Sequence, residues 1–449
     1  MLMGDSATTG LFEKAFGFRT STTAFKAVHM MNDLTQALCG GAPEHGGDFL
    51  ARVIRPENEE EGNSDAELRR DPRFGAAFAQ AFPAHLGGHR IAALRSAAKL
   101  VLNFDKGVFA PGQQMTSPLA THYLLTGFEG FRRFRLGPYL ASILTAEGRE
   151  KLKSLFSSNR DPITRAFRPL LLAAPLVDRQ PAGARAPLSR FDGALGERLS
   201  LLLAQPLSKP ALLRKFALGA SLGLVLKILG AGREGGRPLL LATAAQEGEH
   251  KPLREAAVMS FRAGVEALER KLAAMAVEHP LFADLSKLKR SGDPAVEVRA
   301  GLPPVDSMLE LLGAMRRGAA DSAGDVYWPD AFAVGLGRKA GCVLPKKEAA
   351  GWGVHLALNP EMIELLVLMA VPGGARPVPW GDLWRRLRDE LGIVVGANAA
   401  ADAEALRAAC EGVSLEKLTE NAATALGFGV RLGVARRLPD SGAEAGGDL

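Results

Sequence analysis

Residues 359–391 read NPEMIELLVLMAVPGGARPVPWGDLWRRLRDEL. Asn359 offers a capping oxygen, Pro360 a pre-set first helical φ, and Glu361 a negative charge at the positive end of the helix dipole. Met362, Leu365, Leu366, Leu368 and Met369 carry the helix to about Ala370. Pro372, Gly373 and Gly374 stop it. Arg376 to Pro379 is then a short extended piece, and the spacing predicts a second helix over Trp380 to Leu391. Helix, short strand and helix in 33 residues set the expected class: mainly α and multi-domain, with a few short strands.

Further along, two more helices are predicted, Asp402 to Cys410 and Ser414 to Ala425, then a hairpin over Gly427 to Leu438. Upstream, Phe332 to Leu358 reads as a hairpin: an arm from Ala333 to Leu344, a Lys346-Lys347-Glu348 turn, and a return arm from Gly351 to Leu358. The order of helix, short strand, helices and terminal hairpin resembles a winged-helix domain over about 80 residues. That resemblance implies DNA binding through a helix in the major groove, with the wing on the backbone. The contacts it suggests are Arg385, Arg386 and Arg388 on the second helix, and Arg431, Arg436 and Arg437 near the wing. Charge departs from the pattern. Asp325 to Asp440 holds 13 basic and 14 acidic residues, net −1, and DNA-binding modules are usually more basic. Docking to protein is therefore an equal alternative for this domain.

The middle of the chain holds the clearest amphipathic helix, Leu253 to Glu278. Val258, Phe261, Val265, Leu268, Leu272 and Met275 form its apolar stripe, with Glu266 and Arg270 on the other side. Arg237 to Thr243 is short, apolar and glycine-flanked, and reads as a strand. Pro181, Gly183 and Pro187 place a linker at 177–192, and Gly301-Leu302-Pro303-Pro304 a second boundary. The expected division is a helical domain at 1–176, a middle domain at 193–300, a C-terminal domain at 305–439 and a flexible tail at 440–449. All four tryptophans follow the second boundary. An ordered start is expected from about Thr23, and Glu57 to Glu67 reads as a solvated acidic loop.

Composition excludes several classes. Of the 449 residues, 47% are hydrophobic and 23% charged, ordinary globular usage. Three scattered cysteines (Cys39, Cys342, Cys410) give neither a disulfide framework nor a Cys-x-x-Cys zinc site, and suit a reducing cytoplasm. The longest apolar run, Phe216 to Leu226, is too short to span a bilayer, so the chain reads as soluble. No signal peptide, metal site or cofactor motif is expected. Gly230 to Gly235 matches G-x-G-x-x-G, but it follows a helix and precedes a strand, the reverse of a dinucleotide fold. His85 and His89 have metal-like spacing, yet Gly87-Gly88 breaks the helix that would present both rings.

Gly219-Ala220-Ser221-Leu222-Gly223 matches G-x-S-x-G. With a strand over Lys215 to Leu218 and a helix over Leu224 to Leu229, Ser221 would be the nucleophile of an α/β-hydrolase elbow. That is the enzyme alternative, with His250 and His279 as the histidines downstream.

Charge is more informative along the chain than in total. Between residues 132 and 168, nine basic residues stand against three acidic ones: Arg132, Arg133, Arg135, Arg149, Lys151, Lys153, Arg160, Arg165 and Arg168. Phe131, Phe134, Tyr139, Phe156 and Phe167 are interleaved with them. Such a segment can neutralise phosphates and stack bases, with DNA ahead of RNA. The competing reading is an amphipathic helix pair whose aromatics face the core. The whole chain resembles accessory proteins of bacterial anti-phage defence or DNA-processing loci. This implies a non-catalytic scaffold or nucleic-acid-contacting subunit of a cytoplasmic complex, with a pure protein-interaction scaffold as the further alternative.

Overall fold

The computed structural model describes residues 10–20, 30–31, 34, 37–38, 135–156, 188–230, 237–243, 251–278, 304–321, 328–346, 353–407, 409, 413–439 and 442–446. Helices dominate them, with short strands in two small sheets, the mainly α class that the sequence predicts. One unit takes residues 1–26, 184–206 and 218–449; the other takes 27–183 and 207–217.

In the second unit, α1 (Leu136–Ile143) and α2 (Ala146–Phe156) follow each other closely. Thr145 Oγ1 accepts the Gly148 N–H and so caps α2. Leu136, Tyr139, Leu140, Ile143 and Leu152 are buried at helical spacing.

The first unit begins earlier than expected. Residues 10–16 are helical, and Leu11, Phe12, Phe16 and Phe18 are buried. Phe12 meets Trp328 edge to face at 5.6 Å. Lys271 donates to the Ala15 carbonyl and lies over the Phe16 ring. This N-terminal helix therefore anchors on residues more than 250 positions away.

α3 (Arg190–Leu203) starts inside the expected linker, on a Ser189/Asp192 capping box. α4 (Lys209–Leu229) runs antiparallel to it. A Cβ on Gly223 would meet Leu195 at 2.6 Å, and one on Gly219 would meet Leu199 at 3.1 Å. The two glycines, four residues apart, thus form the groove that takes two leucines four residues apart. Lys227, which interrupts the apolar run, is buried and pairs with Asp192 at 2.5 Å.

β1 (Leu239–Thr243) is buried at all five positions, as in a covered parallel strand. α5 (Lys251–Val277) follows. Its buried face is centred on Leu253, Ala257, Phe261, Gly264, Leu268, Leu272 and Ala276. Val258, Val265 and Met275 are only half-buried. The small residues decide the face because they admit neighbours closely: a Cβ on Gly264 would meet Leu229 and Leu239 at 3.3 Å.

α6 (Pro304–Asp321) and α7 (Pro329–Ala340) come next, then β2 (Val343–Leu344) and β3 (His355–Leu358). The expected hairpin survives only as the antiparallel β2–β3 pair; most of its first arm is the helix α7. Proline at the first turn and Gly341 in the left-handed region (φ 84°) set the ends of α7.

α8 (Pro360–Ala370), β4 (Val378–Pro379) and α9 (Trp380–Leu391) follow the sequence reading closely. Then come β5 (Ile393–Val394), α10 (Ala399–Leu406), α11 (Leu415–Arg431), β6 (Ala435–Arg437) and β7 (Ala443–Ala445). Part of the expected tail is therefore a strand, and the terminal hairpin lies later than Gly427 to Leu438. α11 runs six residues past Ala425.

One sheet has the order β2-β3-β1-β5, with β1 parallel to both β3 and β5. A strand of the expected middle domain is thus central between two strands of the expected C-terminal domain, and no boundary near 301–305 separates them. The other sheet has the order β4-β7-β6, all antiparallel.

Candidate nucleic-acid interface

α11 is shared between the two sheets. Its inner face carries Leu418, Asn421, Ala422, Ala425 and Gly429. Leu418 joins Leu240, Ala242, Leu253, Ala257, Val394 and Leu406 in one apolar cluster. Asn421, fully buried, makes four hydrogen bonds. Its Oδ1 accepts from Thr243 N–H and Thr243 Oγ1, each at 2.8 Å, and its Nδ2 donates to the Leu241 and Val395 carbonyls at 2.9 and 2.8 Å. Open α/β sheets commonly bind ligands at the carboxyl ends of their parallel strands. Here that end of β1 and β5 is filled by Asn421.

The loop after β5 is held just as tightly. Asp402 accepts the Gly396 and Asn398 N–H groups and the Arg388 guanidinium. Gly396 has φ 98°, and a Cβ there would lie 2.2 Å from the Leu418 carbonyl oxygen, so only glycine fits.

These contacts sort the C-terminal arginines. Arg388 is withdrawn from the surface, because its guanidinium bridges Asp389 and Asp402; it is a positioning group for the loop after β5 rather than a nucleic-acid contact. Arg385 and Arg386 are exposed on α9, Arg385 paired with Asp382 at 3.0 Å. Arg431, Arg436 and Arg437 are exposed at the end of α11 and on β6. Arg431 lies 4.6 Å over the Phe428 ring. Arg436 is paired across the hairpin with Glu444, a residue that the sequence reading missed because it lies in the expected tail. Val430 and Leu432 are exposed beside Arg431, and Leu415 is exposed at the other end of α11.

Support for the hairpin comes from α9. Trp380 and Trp384 meet edge to face at 5.4 Å, and Gly429 allows Trp380 and Ala435 close under α11.

In the basic segment, Arg132, Arg133, Arg160, Arg165 and Arg168 lie outside the described residues. Arg135 enters α1 in the left-handed region, φ 57°. Arg149 donates to the Ala141 and Leu144 carbonyls and closes the end of α1. Lys153 pairs with Glu150 at 2.7 Å, and Lys151 is exposed. Tyr139 is buried. For the described part, Tyr139 follows the core-facing reading, and Arg149 serves a helix end.

Ser221 is corrected outright as a nucleophile. It lies inside α4, with no exposed surface, and Lys215 to Leu218, expected as the strand before it, belong to the same helix. The G-x-S-x-G pattern is instead a close-packing site for α3. Gly230, in the left-handed region (φ 78°), ends α4 before β1, so the glycine-rich stretch does follow a helix. His85, His89, His250, His279 and the acidic loop lie outside the described residues. Among the described residues, no cluster of acids, histidines and cysteines could hold a metal ion, and no helix is long and apolar enough to cross a membrane. The Cys342 thiol is buried, and desolvation pushes its pKa up to about 12, so it stays protonated and unreactive.

No protein-family model matches the chain, and no curated protein or solved structure matches it significantly.

Proposed function

We propose that this chain is a non-catalytic, nucleic-acid-contacting subunit of a bacterial multiprotein assembly, and that residues 360–446 act as a winged-helix-like module. One observation carries the reading: the sheet order β4-β7-β6, with α11 leading directly into the β6–β7 hairpin. Helix, edge strand, helices and returning hairpin, in that order, resemble a winged-helix layout and support the reading. β5 and α10, inserted between α9 and α11, depart from it; they tie the module to the mixed sheet. Exposed Arg385, Arg386, Arg431, Arg436 and Arg437 supply cationic contacts. The defence or DNA-processing setting rests on the sequence resemblance alone.

The test is fluorescence anisotropy of the full chain with labelled duplex DNA and single-stranded RNA. Duplex binding at low salt that weakens linearly with log salt supports the reading. Absence of binding at low salt overturns it. It would also favour the protein-docking alternative, which exposed Leu415, Val430 and Leu432 on and beside α11 recommend.

A further inference from the structure

Charge is unequally divided along α11. Its exposed N-terminal turns carry Glu416 and Glu420 against Lys417, and the Lys417 amine is already paired with Glu420 at 2.7 Å. The exposed surface there is net negative. At the other end, Arg431, Arg436 and Arg437 fall within seven residues, and the described acid facing them is Glu444, which holds Arg436. Fifteen residues separate Glu416 from Arg431, about 22 Å along the helix. That exceeds two Debye lengths at physiological salt, so the two ends act on a polyanion separately.

Resting on the winged-helix reading, we infer that the phosphate backbone of duplex DNA is bound by the β6–β7 hairpin and the C-terminal end of α11, and that the N-terminal outer face of α11 is turned away from it. A helix laid in the major groove would bring Glu416 and Glu420, which share one face at i, i+4 spacing, toward the phosphates. It would also have few groups to read bases with: its outward positions Thr419 and Ala423 offer one hydroxyl and one methyl. Alternation along β6 sends Arg436 and Arg437 to opposite faces of the ribbon, so the hairpin presents cations on both sides. Binding of this kind is ionic and indifferent to sequence.

The experiment is anisotropy of the full chain with a short labelled duplex over a salt series, competed by unlabelled duplexes of the same and of unrelated sequence. Arg436→Ala/Arg437→Ala should weaken binding and reduce the slope of log K against log salt by about 2, since each phosphate contact contributes about 0.9. Glu444→Gln, which releases Arg436, should tighten binding. Thr419→Ala/Ala423→Ser should leave it unchanged, and both competitors should displace the label equally. An unchanged slope in the double arginine variant, or weakening by the Thr419/Ala423 variant, overturns the inference while duplex binding by the parent still stands. A parent that binds no duplex overturns the function reading and the inference together.

Discussion

Asn421 shows how much one buried amide can hold. It replaces water for two donors and two acceptors on two segments: the Thr243 N–H and hydroxyl and the Leu241 carbonyl in β1, and the Val395 carbonyl after β5. Asn421→Ala strands all four groups in the core. At about 1–3 kcal/mol for each unsatisfied buried group, with some relaxation, the loss should be at least about 3 kcal/mol. Thr243→Val removes a single donor and leaves the Thr243 N–H paired, so it should cost about 1 kcal/mol. Urea unfolding of both variants checks the ratio; equal losses would mean that the four bonds do not act together. Asn421 has no signal in the sequence. It sits among alanines in an amphipathic helix, and its partners in β1 lie 178 and 180 residues away.

At the scale of elements, the sequence is legible wherever the instruction is local. Asn359 caps α8 by accepting the Met362 N–H, with Pro360 at the first turn, and both ends of α8 and α9 follow the reading. It misleads where a glycine serves packing rather than chain direction. The hairpin expected from Gly427 is still helix, and Gly429 within it serves packing: a Cβ there would press on Ala435 at 3.1 Å and Trp380 at 3.4 Å. Ala333 to Leu344 reads as a strand arm, yet most of it is α7, where Gly337 is needed beside Val343. Gly219 and Gly223 suggested a catalytic turn and are a helix groove. This gives a sign test. Glycine to alanine in a helix interior should stabilise by up to about 1 kcal/mol where space allows. Gly335 has open space, so Gly335→Ala should stabilise. Gly223→Ala drives a methyl into Leu195, where overpacking costs about 1–3 kcal/mol, so it should destabilise on balance. Opposite shifts in unfolding midpoint are expected; a stabilised Gly223→Ala would refute the close α3–α4 groove.

For the molecule as a whole, the question is where the chain could be cut. Proline and glycine at 301–304 suggested an independent C-terminal domain, because boundaries usually fall in such stretches. The hydrogen bonds argue otherwise. β1 supplies the parallel neighbour of both β3 and β5. α3 reaches across the same divide: Arg198 holds Glu390 and the Ala370 carbonyl, and Gln205 donates to the Leu368 and Val371 carbonyls at 2.7 and 2.8 Å. Removing everything before residue 304 would bare the inner edges of β3 and β5, open the end of α8 and leave Asn421 without Thr243. The β4-β7-β6 sheet would remain, but the helix leading into it would lose the β1 and α5 residues that Leu418 and Asn421 pack against. Residues 304–449 expressed alone should therefore unfold without a cooperative transition and bind a hydrophobic dye, and co-expression with residues 184–303 should restore both cooperativity and the duplex binding proposed for the hairpin. A sharp urea transition in the isolated fragment would show that the arginine-bearing module is autonomous and that the mixed sheet merely carries it.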